Sequence, residues 1–242
     1  MTAKAEAKMS IPPLGPTRWQ RWRRWLWAGL ALIGLPHLYM LLLAILPAPV
    51  TLNMVLDDRP LRKDWTRLER ISPHLVNSVI GAEDSRFCAH SGIDWQATEE
   101  VLEERRAGRT SRGASTITQQ TAKNVFFWNG GGFVRKAGEA WFALLIDRIW
   151  GKRRVMEVYL NVAEWGDGLY GAEAASLARF GKPAAELTRR EAALLAAVLP
   201  SPNKWRVDPP GPYVQGRAAT LQARAEVVAG ERLSSCVLGN GG

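Results

Sequence analysis

Apolar and polar residues are distributed very unevenly along this chain of 242 residues. The 22 residues from Trp25 to Leu46 contain no Lys, Arg, Asp or Glu. As a helix rising about 1.5 Å per residue they would reach about 33 Å, enough for the ~30 Å hydrocarbon core of a bilayer. A secretory signal would have a shorter apolar stretch and a better small-residue cleavage site than Leu46-Pro-Ala-Pro49. The pattern therefore predicts one permanent transmembrane helix.

Beyond residue 50 no run of alternating apolar and polar residues indicates a long strand, so the rest of the chain is predicted to be mainly α-helical. Pro73, with Ser72 as its N-cap, should begin a helix that carries Glu83 at its far end. Thr51 to Leu56 fits either a short strand or a linker. Further helices are predicted over Gln96–Arg106, Thr116–Phe126 with Ser115 as cap, Phe133–Trp150, Lys152–Val162 after a break at Gly151, and Tyr213–Val228.

The net charge of +9 is concentrated at the N-terminus, where residues 1–26 carry six basic residues against Glu6 alone. That segment accounts for +5 and leaves +4 for the remainder, so a nucleic-acid partner is not expected. Tryptophans interleave with the arginines, as is typical of the cytoplasmic interface of a membrane helix. The predicted organisation is a cytoplasmic arm (1–24), a transmembrane helix (25–46), a linker (47–70) and an external domain (71–242).

The two cysteines, Cys88 and Cys236, fit neither a metal site nor a disulfide scaffold. One bridge could form between them outside the cytoplasm, but a free buried thiol at Cys88 is the favoured interpretation.

A pair of carboxylates, Glu83 and Asp84, follows the apolar helix at its C-terminal end, where the helix dipole disfavours negative charge. Apolar surroundings there should raise their pKa values, and a raised pKa suits a general base or acid. An ordinary surface pair closing a helix explains this stretch alone equally well. His90 is interpreted as a hydrogen-bonded turn residue, since no second histidine suggests a metal or a triad.

A second group of polar residues lies on the helix after Ser115, where spacings of three and four residues place side chains on neighbouring faces. With the free N–H groups of the helix start, this arrangement suits a phosphate, and a solvated helix face is the alternative. Taken alone, Arg135 and Glu139 favour an exposed intrahelical ion pair, and Lys152 a structural network. The polar residues of the helix are Thr116, Gln119, Gln120, Lys123 and Asn124.

Taken together and in order, these stretches resemble the motifs of the peptidoglycan glycosyltransferases. That family comprises monofunctional biosynthetic transglycosylases and the glycosyltransferase half of class A penicillin-binding proteins. The chain ends at residue 242, which leaves no room for a transpeptidase domain, so it resembles the monofunctional form. The matching blocks are Glu83-Asp84-x-x-Phe87-x-x-His90-x-Gly92, Gly113-x-Ser115-Thr-Ile-Thr-Gln-Gln120-x-x-Lys123-Asn124, Arg135-Lys136-x-x-Glu139, Lys152-x-x-x-x-Glu157-x-Tyr159-Leu-Asn161, and Gly168-x-Tyr170-Gly171 with Phe180-Gly181-Lys182.

The resemblance implies a mainly α-helical, lysozyme-like domain with a small second lobe lying on the membrane. It implies inverting transfer on lipid II, with polyprenyl pyrophosphate as the leaving group, Glu83 as general base and Glu139 on the leaving-group side. Lys123 and Arg135 would hold the pyrophosphate, and Lys136 and Lys152 are weaker candidates for that role. The residues implied to line the site are Ser115, Thr118, Gln119, Gln120 and Asn124.

The apolar segment and its basic, tryptophan-rich flank predict a single span with the N-terminus inside and the chain after about residue 50 outside. Together with the resemblance, this predicts a protein of the bacterial inner membrane whose catalytic domain is periplasmic. The expected partners are lipid II, the growing glycan strand, the membrane, and proteins of cell division or elongation. No cofactor is expected to be required, and the sequence leaves open whether Mg²⁺ or Mn²⁺, bound at Asp84, assists the reaction. Two rival functions stay open: a membrane-anchored, lysozyme-like muramidase using Glu83 as its acid, and a non-catalytic envelope scaffold.

Overall fold

The computed structural model of the chain describes residues 17–109 and 113–239. The described residues divide into two compact units, one that extends to Met40 and one that begins at Leu41. Residues 1–16 of the predicted cytoplasmic arm lie outside the described residues.

The first long helix, α1, spans Arg18–Leu43 and begins seven residues before the predicted apolar segment. A capping box explains the early start, because the Thr17 N–H donates to Gln20 Oε1 (2.9 Å) while Thr17 Oγ1 accepts from the Gln20 N–H (3.3 Å). Its tryptophans and leucines are largely exposed. Of the described helices, α1 alone is long and apolar enough to cross a membrane.

In the described residues of the second unit, the regular structure is helical apart from two strands of two residues each, and single 3-10 turns occur at Leu68–Arg70 and Ala184–Glu186. Its elements in chain order are α2 (Leu52–Val55), β1 (Arg62–Lys63), α3 (Pro73–Glu83), α4 (Trp95–Arg106), α5 (Ile117–Phe126), α6 (Phe133–Val162), β2 (Leu169–Tyr170), α7 (Ala172–Phe180), α8 (Arg189–Val198), α9 (Pro212–Gly230) and α10 (Ser235–Leu238).

Two helix groups form the core of this unit. Helix α3 packs against α8 and α9, and its Leu75, Val76 and Val79 have no exposed surface. Helix α5 packs along α6, where the Phe126 ring stacks on Phe142 with centroids 4.4 Å apart. Because α3 is buried along its length, its last residue is held rigidly.

The two strands pair in parallel, with Arg62 opposite Leu169 and Lys63 opposite Tyr170. The side chain of Asn161 holds the nearby Thr66 backbone at both ends, accepting from its N–H and donating to its carbonyl, each at 2.8 Å. Part of the predicted linker is thus hydrogen-bonded to the helical domain.

Several local predictions are confirmed. Ser72 caps α3 by accepting from the His74 N–H (3.3 Å), and α3 ends at Glu83. Helix α6 is interrupted at Gly151, whose φ of 72° lies in the left-handed region that favours glycine.

Two local predictions are wrong. Thr51 to Leu56 contains neither a strand nor an extended linker but the four-residue helix α2, since the Thr51 N–H is satisfied by the Met54 sulfur at 3.4 Å. The cap of α5 is Thr116 rather than Ser115. The Thr116 Oγ1 accepts from the Gln119 N–H (3.1 Å) and the Gln119 Oε1 accepts from the Thr116 N–H (3.0 Å), forming a capping box.

The prediction of a free thiol at Cys88 is also wrong, because Cys88 and Cys236 form a disulfide. Helix α10 packs on α6, and Arg153 Nη1 donates to the Val237 carbonyl at 2.6 Å. These contacts bring the Cα atoms of the cysteines to 5.6 Å, a normal separation for a bridge.

Candidate active site

Glu83 occupies the C-terminal end of α3 and is largely buried. Its Oε2 accepts a hydrogen bond from Gln120 Nε2 (2.9 Å), and Gln120 Oε1 accepts from the Tyr159 hydroxyl (3.3 Å). Burial raises the pKa of Glu83 above its ordinary value, and the Gln120 bond and the Arg217 charge oppose that rise only in part. Glu83 therefore has the environment of a general base.

Asp84 is held by the fold rather than free to react. Its carboxylate accepts from His90 Nε2 (3.0 Å) and from the Ile117 N–H (3.0 Å). Behind it, Lys152 forms an ion pair with Asp147 (2.7 Å) and lies 3.5 Å from His90 Nδ1. This network ties the segment after α3 to the start of α5 and confirms His90 as a hydrogen-bonded turn residue.

Asp84, His90 and Asp94 bring their potential metal-ligand atoms within 4.8 Å of one another. Asp94 is already engaged, because it accepts from Arg86 at 2.5 and 2.9 Å and caps α4 through the Ala97 N–H at 2.9 Å. A divalent cation would have to displace the Arg86 guanidinium and break the Asp84–His90 bond. Since Mg²⁺ prefers several free oxygen ligands, these residues do not fit it.

Two cations, Arg135 and Lys136, contact Glu139, and Lys123 of α5 joins them through its electrostatic interaction with both. Glu139 is only 2% exposed and pairs with Arg135, while Lys136 Nζ lies 3.2 Å from its Oε2 and donates to Ser115 Oγ at 3.0 Å. The Arg135–Glu139 contact is therefore buried at its carboxylate, not the exposed pair that spacing alone favours. Arg135 and Lys136 share the single carboxylate of Glu139, and this local excess of positive charge suits an anion such as a phosphate.

The pKa values of the two lysines in this group are lowered by their surroundings. Burial, followed by the nearby Arg135 charge, lowers the pKa of Lys123. The pKa of Lys136 is lowered by burial and then by Arg135 and Lys123. The Arg135 charge thus disfavours the charged form of both lysines, and a bound anion would relieve that repulsion.

A glycine lets α5 and α6 approach closely enough to form this group. A Cβ atom at Gly138 would lie 2.8 Å from the ring of Phe127, the C-cap residue that follows α5. The same ring packs edge-on against Phe142 with centroids 5.8 Å apart. Gly138 has low helix propensity, but its lack of a side chain makes room for the aromatic ring directly beside Glu139.

Several other predicted site residues make their contacts outside the group formed by Lys123, Arg135 and Lys136. Thr118 is fully buried with its hydroxyl 3.3 Å from Asp147, and Gln119 is occupied by the cap of α5. Lys152 stacks over the Phe87 ring at 4.5 Å in addition to its ion pair. Gln120 and the partly exposed Asn124 follow one another by one turn on α5.

A cleft of about 460 Å³ opens beside Glu83 and also includes Ser115 and Gln120. Two arginines of α9, Arg217 and Arg224, line it as well, and sequence reasoning missed both. The only signal was their spacing of seven residues, which places them on one face of a helix two turns apart.

The transglycosylase family profile matches residues 50–231 of the chain. A protein of Rhodospirillum centenum called biosynthetic peptidoglycan transglycosylase is 53% identical over 174 residues, covering 72% of this chain and 75% of that protein. Proteins with the same name from Caulobacter vibrioides and Xylella fastidiosa are 46% and 41% identical, covering 86% and 88% of this chain and 92% of each relative.

Proposed function

The chain belongs to the transglycosylase family, and we propose that it polymerises lipid II into β-1,4-linked glycan strands in bacterial peptidoglycan synthesis, releasing polyprenyl diphosphate. The observation that carries this proposal is that one helix, α5, contacts the candidate base and also contributes a cation to the candidate phosphate site. Gln120 of α5 holds the buried carboxylate of Glu83, and Lys123, one turn further, belongs to the cation group around Glu139.

The reaction requires the base and the cations on opposite sides of the reacting carbon. Glu83 accepts the proton of the acceptor 4-hydroxyl as its oxygen attacks the anomeric carbon of the donor. The bond from that carbon to the phosphate oxygen breaks, and the electron pair leaves with the diphosphate. Lys123, Arg135 and Lys136 stabilise the growing negative charge, and in-line displacement of an α-linked donor gives the β product.

The other residues act by holding these groups in position. Gln120 is oriented by Tyr159, so that its amide N–H points at Glu83. Glu139 fixes Arg135 and Lys136, and its role on the leaving-group side is electrostatic. Ser115 and Asn124 are proposed to line the substrate, whereas Thr118, Gln119 and Lys152 support the walls of the site.

The reaction needs no metal in this proposal, because the carboxylate oxygens of Asp84 and Asp94 already accept hydrogen bonds from the protein. Charge on the departing diphosphate is offset by the protein's own cations instead.

The proposed location is the bacterial inner membrane, with α1 as its single span, the N-terminus cytoplasmic and the catalytic domain periplasmic. The disulfide supports an oxidising compartment. At the start of α6, Phe133 and Val134 are 87% and 86% exposed, as suits a lobe that lies against lipid. Cell-division or elongation proteins are the expected protein partners.

Purified full-length protein in detergent, supplied with labelled lipid II, tests the function. We expect glycan polymer that lengthens with time, at a rate that a chelator does not change. Cleavage of preformed glycan without polymer would indicate a muramidase, and neither activity would indicate a scaffold. Loss of polymer with chelator and its return with Mn²⁺ would contradict the metal-free proposal.

A further inference from the structure

We propose that Arg217 and Arg224 of α9 form a second anion site beside Glu83, which binds an oxyanion of the acceptor substrate. The inference rests on the proposed function and names a substrate group that the same site recognises. The favoured ligand group is the diphosphate that an acceptor lipid II retains through the reaction.

Geometry gives the first argument. Arg217 and Arg224 lie two turns apart on one face of α9, and both line the cleft of about 460 Å³ that contains Glu83. Arg217 Nε donates to the Ala197 carbonyl at 3.1 Å, which anchors the guanidinium. A Cβ atom at Gly81 would lie 3.1 Å from Arg224 Cβ, so a glycine lets α3 and α9 approach closely at this cleft.

The second argument is the separation of charge around Glu83. None of the three cations near Glu139 lines the cleft that Arg217 and Arg224 line. The Glu83 carboxylate therefore has a positive charge nearby from Lys123 of α5 and a separate one from Arg217 of α9. Transfer between two lipid-linked sugars involves two diphosphates, one that departs with the donor lipid and one that stays on the acceptor. The two groups of cations, one beside Glu139 and one on α9, match these two diphosphates in number.

A purely structural role explains Arg217 poorly. Within the part of the chain that the structure describes, Arg217 forms no ion pair with a carboxylate, although it is only partly exposed. The charge of Arg217 acts on the Glu83 carboxylate and opposes the rise in its pKa, but the direct contact of this half-buried guanidinium is one carbonyl hydrogen bond, which replaces its hydration only in part. An anionic ligand would add a direct, bidentate contact of the kind that arginine favours.

The acceptor diphosphate keeps its charge throughout the reaction, whereas the donor diphosphate gains charge in the transition state. Contacts to the acceptor group should therefore stabilise the bound substrate and the transition state equally. Their removal is expected to raise the KM for the acceptor and to leave kcat nearly unchanged. That separation distinguishes the α9 site from the cation group around Glu139.

The test uses full-length protein, a donor lipid II whose own 4-hydroxyl is blocked, and defined acceptors. One acceptor carries a diphosphate at its reducing end and another carries a methyl group there. Each is made with its peptide carboxylates free or amidated. For the Arg217→Gln/Arg224→Gln variant we expect a KM for the diphosphate acceptor raised about tenfold or more. The KM for the methyl acceptor should not change.

Arg190→Gln, which removes an exposed arginine of α8 outside the cleft, is the matched control and should behave as wild type. Arg217→Lys/Arg224→Lys keeps the charges if the glutamine variant fails to fold, and an intermediate KM is expected for it. A KM effect that disappears on amidation, rather than on loss of the diphosphate, would support the oxyanion site and reassign its ligand to the peptide.

Two results would overturn the α9 site: a wild-type KM for every acceptor in the double variant, or an equal loss of kcat with all acceptors. Both presuppose an active wild-type enzyme. Absence of transfer by the wild type itself would refute the proposed function instead, so the two failures are distinguishable.

Discussion

Replacing Glu83 by Gln separates the chemical role of this residue from its structural one. Glutamine keeps the size of the side chain, and its oxygen can still accept the 2.9 Å hydrogen bond from Gln120 Nε2. The change removes the proton acceptor and the negative charge but preserves packing at the end of α3. We therefore expect a folded protein that does not polymerise lipid II.

The expected loss of rate follows from the contribution of general-base catalysis, about 10²–10⁴-fold, or about 3–5 kcal/mol in the activation barrier. The thermal stability of the Glu83→Gln variant should increase although its activity is lost. Burial raises the pKa of Glu83, so the folded protein binds this proton more tightly than the unfolded chain does. The stabilisation that this proton provides is complete when the pH is below the pKa of Glu83 in the unfolded chain. It is lost as the pH rises through the pKa of Glu83 in the folded protein. At pH 7 the glutamine variant should thus melt at a higher temperature than wild type.

The assay combines initial rates of lipid II polymerisation across pH with melting curves at pH 7 and pH 4. The acid limb of the wild-type rate profile should lie above 4.5, the ordinary pKa of a glutamate. The melting advantage of Glu83→Gln should shrink at pH 4. Glu103→Gln, on the exposed side of α4, is the control for loss of one charge. Near-normal turnover by Glu83→Gln would refute its assignment as the base.

Three other changes test separate parts of the molecule. Lys123→Ala should raise KM and lower kcat together, since charge grows on the departing diphosphate, while Lys204→Ala leaves both unchanged; a wild-type kcat would remove Lys123 from the leaving-group site. Replacing Cys88 and Cys236 by Ser should cost about 2–5 kcal/mol of unfolding free energy, measured by denaturant titration, and reductant should reproduce the loss in wild type; equal stability with and without the bridge would contradict this. Deleting residues 1–48 should preserve activity in detergent and lower it on vesicles, because the anchor raises the local concentration of enzyme at its substrate; full vesicle activity would show that the anchor only localises the protein.

The elements that the sequence predicts well are those fixed by neighbouring residues. The start of α3 follows from the hydroxyl of Ser72 and the fixed φ of Pro73, and the break in α6 follows from the backbone freedom of Gly151. Each signal acts within one helical turn, so it does not depend on the rest of the fold.

Features that depend on distant segments cannot be predicted in that way. Cys88 and Cys236 are 148 residues apart, and their pairing requires α10 to dock on α6. Arg217 and Arg224 have the spacing of any surface arginines on a helix until α9 packs against α3 beside Glu83. Local pattern carries no information on which helices meet, because packing partners are selected by the whole core.

Helix α5 is an intermediate case, in which one polar motif serves two purposes. Thr118 and Thr121 are fully buried, whereas Gln120 and Lys123, also three residues apart, lie on the more accessible face. The helical period of 3.6 residues places these two pairs on different faces, so the sequence itself contains the distinction. The inner pair builds the wall through Asp147 and the Ile117 carbonyl, and the outer pair serves Glu83 and the cation group. Polar residues in one motif can therefore divide between support and chemistry, and the direction of each side chain decides which.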